Sequence, residues 1–290
     1  MIPMEKALKI VSPAKVNLYL EILGKRADGY HTIVTLFERI SLCDEILLTE
    51  SEGTAIRVES DAKDIPLDSN NLAYKAAALV KEDLGISKGL VIRIKKHIPV
   101  GAGLGGGSSN AASTLLGLNR LWNLRLSRKK LFAYAARLGS DVAFFVADVP
   151  FAWGSSRGEK IKPFSGFDKR LWHILLVPKV NVSTKEVYQQ FDKVTKKNTA
   201  GAQPRKVPAN FRGFNLARIL SNRLEEVTFK RYPKVRKLKE DLIAYGLKHA
   251  LMSGSGGSVF GIVESRKEGL GIARIFEHRK DIRAFVVKTM

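Results

Sequence analysis

The chain of 290 residues has one cysteine, Cys43, so it can form no internal disulfide. Nothing near that residue has the spacing of a metal site or the electropositive setting of an activated thiol, which leaves it a structural role. Long apolar runs are missing too, and no window approaches the length that a membrane-spanning helix requires. The opening MIPMEKALKIVSPAKVNLYLEILG lacks a basic region followed by an apolar core and a small-residue cleavage site. It also lacks the Arg/Ser-rich character of a transit peptide, so the cytoplasm is the expected location. No stretch repeats. Negative charge is the scarce sign: 28 Asp+Glu stand against 49 Lys+Arg, a formal net charge of +21.

Such an excess suggests polyanions. Basic residues bunch in KVTKKNTAGAQPRK (Lys193 to Lys206) and KRYPKVRKLK (Lys230 to Lys239), but neither run interleaves stacking aromatics in an RNA-binding pattern. Solvated lysine faces are therefore favoured over a nucleic-acid footprint. A positive field also draws in phosphorylated small molecules, which is a weaker demand. With 45% hydrophobic and 27% charged residues the composition is that of a globular protein, and the length favours two domains or one large one.

The stretch IPVGAGLGGGSSNAASTLLGLNRLW, Ile98 to Trp122, places five glycines (Gly101, Gly103, Gly105, Gly106 and Gly107) just before a helical pattern. Clustered glycine implies unusual backbone angles or a ligand lying against bare backbone. Gly101, Gly103 and Gly106 satisfy the dinucleotide fingerprint, yet no Asp or Glu occurs from Ala111 to Ser140 to hold a ribose. The P-loop pattern fails as well, because Gly107-Ser108 stands where Lys-Ser/Thr is obligatory. What remains is general: consecutive backbone N–H groups leading into a helix N-terminus converge on an anion, and Ser108 and Ser109 add hydroxyls. Phosphate binding is the reading, and a purely structural tight turn is its alternative.

β-branched and apolar content predicts a strand in LKIVSPAKVNLYLEIL, and alternation predicts strands in ISLCDEILLTE and LVIRIKKHIPV; in the first, Lys15 and Asn17 are alternate residues on one face, a pair that taken alone also suits a solvated edge strand. NNLAYKAAALVKEDLG reads as a helix capped by Asn70 or Asn71 and stopped by Gly85. Further helices are expected from about Ser108 to Ala111 onward, over Ser127 to Gly139, Ser183 to Gln190, Asn215 to Glu226, Pro233 to Tyr245 and in GLGIARIFEHR. SDVAFFVADVPFAWGSSRGEKIKPF reads as strand and turn, LWHILLVPK as a buried strand, KKNTAGAQPRKVPANFRG as a loop and RAFVVKT as a last strand. A second glycine/serine turn lies in MSGSGGSVFG, Met252 to Gly261. These elements suggest an α/β or α+β fold in two lobes.

Pro13-Ala14-Lys15-Val16-Asn17-Leu18, then the stretch from Pro99 to Ala112, then Met252 to Gly261 resemble, in order, the three motifs of the GHMP kinase superfamily. RADGYHTI (Arg26 to Ile33), Asp141 in GSDVAFFV, RGEKIKP (Arg157 to Pro163) and NVSTKEVY (Asn181 to Tyr188) are similar to the 4-diphosphocytidyl-2-C-methyl-D-erythritol kinases within it. The resemblance covers Lys9 to about Val287. It implies an α+β fold with an N-terminal ribosomal-protein-S5-domain-2-like lobe, residues 1–163, and a C-terminal ferredoxin-like lobe, residues 164–290. It implies ATP as phosphoryl donor, Mg²⁺, and transfer to the 2-hydroxyl of the diphosphocytidyl methylerythritol in the non-mevalonate route to isoprenoids. The partner expected is that small-molecule cytidine diphosphate substrate, with no membrane and a monomer or weak homodimer.

By the same resemblance, Asp141 matches the catalytic aspartate and Lys15 its partner lysine, which stabilises the aspartate, the developing alkoxide or the γ-phosphoryl oxygens. ATP is assigned Pro99, Val100, Gly101, Ala102, Gly103, Leu104, Gly105, Gly106, Gly107, Ser108 and Ser109, with Lys96 and Asn70 for base and ribose. Asn17, Tyr30, His31 and Tyr188 match residues at the acceptor, His31 reading the cytosine and Tyr188 stacking on it. One departure is Ala143, where the family usually has proline two residues after the aspartate. The alternatives are a superfamily kinase acting on homoserine, mevalonate, phosphomevalonate or a sugar, and an RNA-binding protein on an S5-like lobe, whose affinity would fall steeply with salt.

Overall fold

A computed structural model describes residues 6–167, 170–197 and 219–290. By its internal contacts the chain divides into two units. Unit 1 comprises Met1–Ala14, Leu42–Val100 and Gly105–Val149; unit 2 comprises Lys15–Ser41, Gly101–Leu104 and Pro150–Met290. Two long strands, β1 (Ala7–Lys25) and β2 (His31–Ser51), contribute residues to both.

In unit 1, the second half of β2 pairs antiparallel with β4 (Gly89–Lys95), Ile46 opposite Ile94, and β4 pairs parallel with β3 (Ile56–Ser60). Four helices complete it. Helix α1 (Leu72–Leu84) starts on Asn71, whose Oδ1 accepts the Ala73 N–H at 2.8 Å, and ends on Gly85 at φ 63°. Helix α2 (Gly106–Leu121) starts two to five residues before the expected Ser108 to Ala111, directly on the last glycines of the loop. It is buried nearly all round. At Gly117 the helix passes close to its neighbours: a Cβ there would lie 2.2 Å from Ile10 Cδ1 and 2.6 Å from Leu48 Cδ1, so the ends of both side chains would have to shift. Helix α3 (Arg128–Leu138) is capped by Ser127 as the sequence predicts.

Helix α4 (Val142–Ala147) corrects the reading of SDVAFFVADV as strand. All six of its residues are buried, and an uninterrupted apolar run carries no periodicity to separate strand from helix. Ala143 sits in its first turn, where a proline would also be tolerated.

In unit 2, the sequence Arg26-Ala27-Asp28-Gly29 is the hairpin turn joining β1 to β2. Gly29 lies at φ 83°, Arg26 N–H bonds Tyr30 O at 2.8 Å, and Asp28 Oδ1 accepts the Tyr30 N–H at 3.1 Å. The first half of β2 pairs antiparallel with β5 (Phe151–Ser156), and β5 pairs with β6 (Lys160–Pro163). A second, four-stranded antiparallel sheet runs β11 (Ile282–Lys288), β7 (Trp172–Pro178), β10 (Val259–Val263), β9 (Ala250–Met252). Helices α6 (Glu225–Arg231), α7 (Pro233–Ala244) and α8 (Arg266–Phe276) share a core with it through Val227, Val235, Leu238, Leu242, Ile272 and Phe276.

Two expectations shift here. Helix α5 runs Thr184–Lys197, longer than Ser183 to Gln190, and buries Val187 and Phe191. Within the expected helix Asn215 to Glu226, Ser221–Asn222 is instead β8, paired parallel with β1 at Tyr19 and Leu20. Residues 215–218 of that helix, and most of the loop expected at KKNTAGAQPRKVPANFRG, lie outside the described residues. Glu38 and His173 are both fully buried. One oxygen, Glu38 Oε1, faces His173 Nε2 at 2.9 Å and accepts from Thr289 Oγ1 at 2.6 Å, tying the last strand to β2. Among the described residues no helix is long and apolar enough to cross a membrane.

Candidate active site

Lys15 and Asn17 share one face of β1, as alternation predicts, and touch: Lys15 Nζ donates to Asn17 Oδ1 at 2.6 Å. Both are buried. Lys15 Nζ also donates to Gly103 O at 2.9 Å and lies 5.7 Å from the centre of the Phe37 ring, and Asn17 Nδ2 donates to Thr35 Oγ1 at 2.7 Å. A strand residue whose ammonium caps a loop carbonyl fixes where that loop begins.

Glycines 101, 103 and 105 all have left-handed φ, 67°, 74° and 70°, and the intervening Ala102 and Leu104 are buried. The chain itself engages three consecutive carbonyls. Ala102 O accepts from Ser258 N and Oγ, Gly103 O from Lys15 Nζ and Ser253 Oγ, and Leu104 O from the Lys15 N–H. A trans peptide directs its N–H opposite its C=O. The N–H groups of Gly103, Leu104 and Gly105 therefore face away from these partners, and among the described residues none accepts a hydrogen bond from them. The first N–H groups of α2 are orphans by helix geometry.

The turn Ser253–Ser258 supplies two of those anchoring serines. It is held by Asn222, whose Nδ2 donates to Met252 O at 2.8 Å and Gly254 O at 2.7 Å, and by Thr228 Oγ1 on Ser255 O. A Cβ at Gly103 would lie 2.3 Å from Ser253 O and 2.8 Å from Gly256 O, both backbone atoms that cannot swing aside. Gly103→Ala is therefore expected to destabilise by more than the roughly 1–2 kcal/mol of left-handed strain alone. Chemical denaturation would read this, and an unchanged midpoint would show the turn to be free to move.

Unit 1 holds a buried polar cluster around Asp44, whose side chain is fully enclosed. Oδ1 accepts the N–H groups of His97 and Ile98, each at 2.8 Å, while Oδ2 takes Lys96 Nζ and Asn110 Nδ2, the latter at 2.9 Å. Asn110 Nδ2 also reaches Ser12 Oγ at 3.0 Å, and Ser12 Oγ meets Ser109 Oγ at 2.8 Å. The Ser109 hydroxyl is thus occupied and buried, whereas Ser108 is half-buried in the first turn. Lys96 is likewise committed to an ion pair. Asn70 is exposed and bonded to Asp68. Pro99 is buried and Val100 exposed. Asp141 is half-buried at the entry to α4, and its backbone is already helical at φ −81°, ψ −15°.

A third group lies in unit 2. Tyr30 is 54% exposed, with the Arg157 guanidinium 4.9 Å from its ring centre, and His31 is buried at the head of β2. Tyr188 on α5 sits against the His31 ring, centroids 4.8 Å apart and planes at 32°. Sequence and structure thus bring Tyr30, His31, Arg157 and Tyr188 into one region. Among the described residues no group of three or more His, Cys, Asp or Glu could hold a metal ion. The second basic run is largely matched in place: Arg231 pairs with Glu186, Arg236 with Glu240, Lys237 with Asp241 and Lys239 with Glu225.

Residues 71–152 match the family model for the GHMP kinases N terminal domain and residues 212–280 that for the GHMP kinases C terminal. Over 280 residues the chain is 40% identical to the 4-diphosphocytidyl-2-C-methyl-D-erythritol kinase of Syntrophotalea carbinolica, covering 96% of this chain and 97% of that one. The chain belongs to the 4-diphosphocytidyl-2-C-methyl-D-erythritol kinase family of GHMP kinases. A crystal structure of 4-(cytidine 5'-diphospho)-2C-methyl-D-erythritol kinase superposes with a TM-score of 0.77 at 33% identity, over 97% of this chain and 99% of that one. The homoserine kinase of Cytophaga hutchinsonii, at 19% identity and a TM-score of 0.68 over 100% of this chain and 96% of that one, shares the fold. The expected α+β GHMP kinase fold is therefore the one the chain has.

Asp44, Asn222 and Asp192 (described below) escaped the sequence reading. A signal for Asp44 exists: Ile40, Leu42, Ile46 and Leu48 mark the buried face of β2, and Asp44 falls on that face by parity.

Proposed function

We propose that the chain transfers the γ-phosphoryl group of ATP to the 2-hydroxyl of 4-diphosphocytidyl-2-C-methyl-D-erythritol, a step of the non-mevalonate route to isoprenoids. Family membership carries the substrate. The observation that carries the chemistry is the inward turn of the Ala102, Gly103 and Leu104 carbonyls, which leaves consecutive N–H donors for phosphate oxygens. Residues 1–163 are assigned the nucleotide-binding lobe and 164–290 the second lobe, in a cytoplasmic monomer or weak homodimer.

In this reading the stretch from Pro99 to Ser109 cradles ATP, with the hydroxyl part falling to Ser108, while Ser109 locks α2 to β1 through Ser12. Lys96 and Asn70 line the base and ribose end. Asp141 accepts the proton of the 2-hydroxyl, whose oxygen forms the bond to the γ-phosphorus as the bridge to the β-phosphate breaks and ADP leaves. Lys15 sets a positive charge beside the loop and offsets the charge building on the phosphoryl oxygens. Asn17, Tyr30, His31 and Tyr188 hold the acceptor, His31 at its cytosine.

The donors present fit Mg²⁺ bound mainly through ATP, since that ion is usually held by one or two oxygen side chains together with substrate phosphates. Ser108 Oγ is an oxygen donor of the required kind. When bound, the ion neutralises phosphate charge.

The test is ADP release by the purified protein with Mg-ATP and the diphosphocytidyl methylerythritol, beside homoserine and mevalonate. Turnover of the cytidine acceptor alone is expected, with CDP competing against it. Equal turnover of homoserine, or none of the cytidine acceptor, would overturn the substrate.

A further inference from the structure

The His31 side chain has one hydrogen-bond partner among the described residues, and it is a carboxylate. Its Nε2 lies 2.6 Å from Asp192 Oδ1, while Asp192 Oδ2 takes Lys25 Nζ at 2.5 Å. Asp192 stands on α5 one turn after Tyr188, and Phe191 meets the His31 ring edge-on, centroids 6.5 Å apart and planes at 85°. Tyr188 and Phe191 thus fix the plane of the ring, and Asp192 fixes its rotation. The side chains of His31 and Asp192 are 7% and 17% exposed, so water competes weakly for this bond.

So short a contact needs one proton between nitrogen and oxygen. Burial pushes the Asp192 carboxyl up, but the hydrogen bonds from Lys25 and His31 and the Lys25 charge hold it below the usual carboxylate range. Asp192 is then an acceptor only, and the proton belongs to His31 Nε2. In a neutral imidazole the second nitrogen must carry the bare lone pair. In the neutral ring, the contact with Asp192 therefore selects the tautomer protonated on Nε2.

We propose that Asp192 is a positioning residue for base recognition: by keeping the proton on His31 Nε2 it makes Nδ1 an acceptor, which favours a base with an exocyclic amino group over one with a carbonyl there. This rests on the reading that His31 meets the base of the acceptor. Cytosine donates from its 4-amino group, so a lone pair opposite it completes a hydrogen bond. Uracil presents a carbonyl oxygen at that position, and two apposed lone pairs leave both groups unsatisfied. Lys25 keeps Asp192 ionised and so keeps the device in one state.

The experiment compares kcat/KM for the diphosphocytidyl acceptor and its uridine analogue in wild type, Asp192→Ala and His31→Ala. Asp192→Ala is expected to lower the cytidine-over-uridine ratio about tenfold, the scale of one hydrogen bond, chiefly through KM of the acceptor and with KM for ATP unchanged. A wild-type ratio in Asp192→Ala while His31→Ala loses it would overturn the proposal. Loss of both acceptors alike would do the same. If His31→Ala itself left the ratio and the acceptor KM untouched, the base-reading role of His31 would fall first.

A second measurement does not depend on the variant folding. In ¹⁵N-histidine NMR of the wild type at about pH 8.5, above histidine's ordinary range, the His31 signals, assigned by their absence in His31→Ala, are expected to show Nε2 protonated and Nδ1 bare. A proton on Nδ1 would overturn the assignment.

Discussion

Asp141→Asn is expected to lower kcat by at least about 100-fold, the lower end of what a positioned general base contributes, with KM for ATP nearly unchanged. Asparagine keeps the volume of aspartate and two polar atoms at the entry to α4. That helix is anchored by six buried residues, Val142 to Ala147, none of which the substitution touches. On the proposed role of Asp141, what is lost is an acceptor for the proton of the attacking hydroxyl. The carbon bearing that hydroxyl is tertiary, a crowded and poor nucleophile, and phosphoryl transfer otherwise leaves the protein mainly positioning and charge to supply. Steady-state ADP release measures the effect, and a thermal melt coincident with wild type would show that folding is not its source. Wild-type turnover in the variant would remove Asp141 from the chemistry and leave proton transfer to water.

The contrast between what sequence revealed and what it concealed follows from distance along the chain. Lys15 and Asn17 are two residues apart, so strand alternation alone places them together, and Nζ and Oδ1 meet at 2.6 Å. The glycine loop, the Asn71 cap and the Gly85 stop are likewise local, written in residues that few backbone conformations accept. Asp44 is different. Its partners Lys96 and Asn110 lie 52 and 66 positions away, and no window of a few residues contains both ends of that cluster. Asp192 lies 161 positions from His31, and Asn222 lies 30 to 32 from the carbonyls it holds. Helix α4 was hidden for another reason, since a short run buried on every side has no polar face to reveal its period. The DGYH stretch was read only through its resemblance to the family: Asp28 and Gly29 form a local turn, while His31 gains its partner only in the fold.

The hidden cluster gives the second large expectation. Asp44→Ala should destabilise the protein by about 3–5 kcal/mol, the range seen when one member of a buried ion pair is removed. The Lys96 side chain is 7% exposed and Asp44 fully buried, so the lysine left behind would keep an ammonium that neither water nor another carboxylate of the cluster satisfies. Two backbone donors, His97 N–H and Ile98 N–H, would lose their acceptor in the same step, and these residues lead directly into the glycine loop. Asn110 would lose a partner near the start of α2. Stability and nucleotide affinity should therefore fall together, read by urea unfolding and by KM for ATP. Asp44→Asn separates the contributions. Its amide oxygen can still accept both N–H groups, but its amide nitrogen would face Lys96 Nζ and Asn110 Nδ2, donor against donor. The loop entrance should then survive while the ion pair does not. A loss below about 1 kcal/mol in Asp44→Ala, the scale of an exposed pair, would mean that Lys96 can swing out to solvent and that the cluster does not hold the loop.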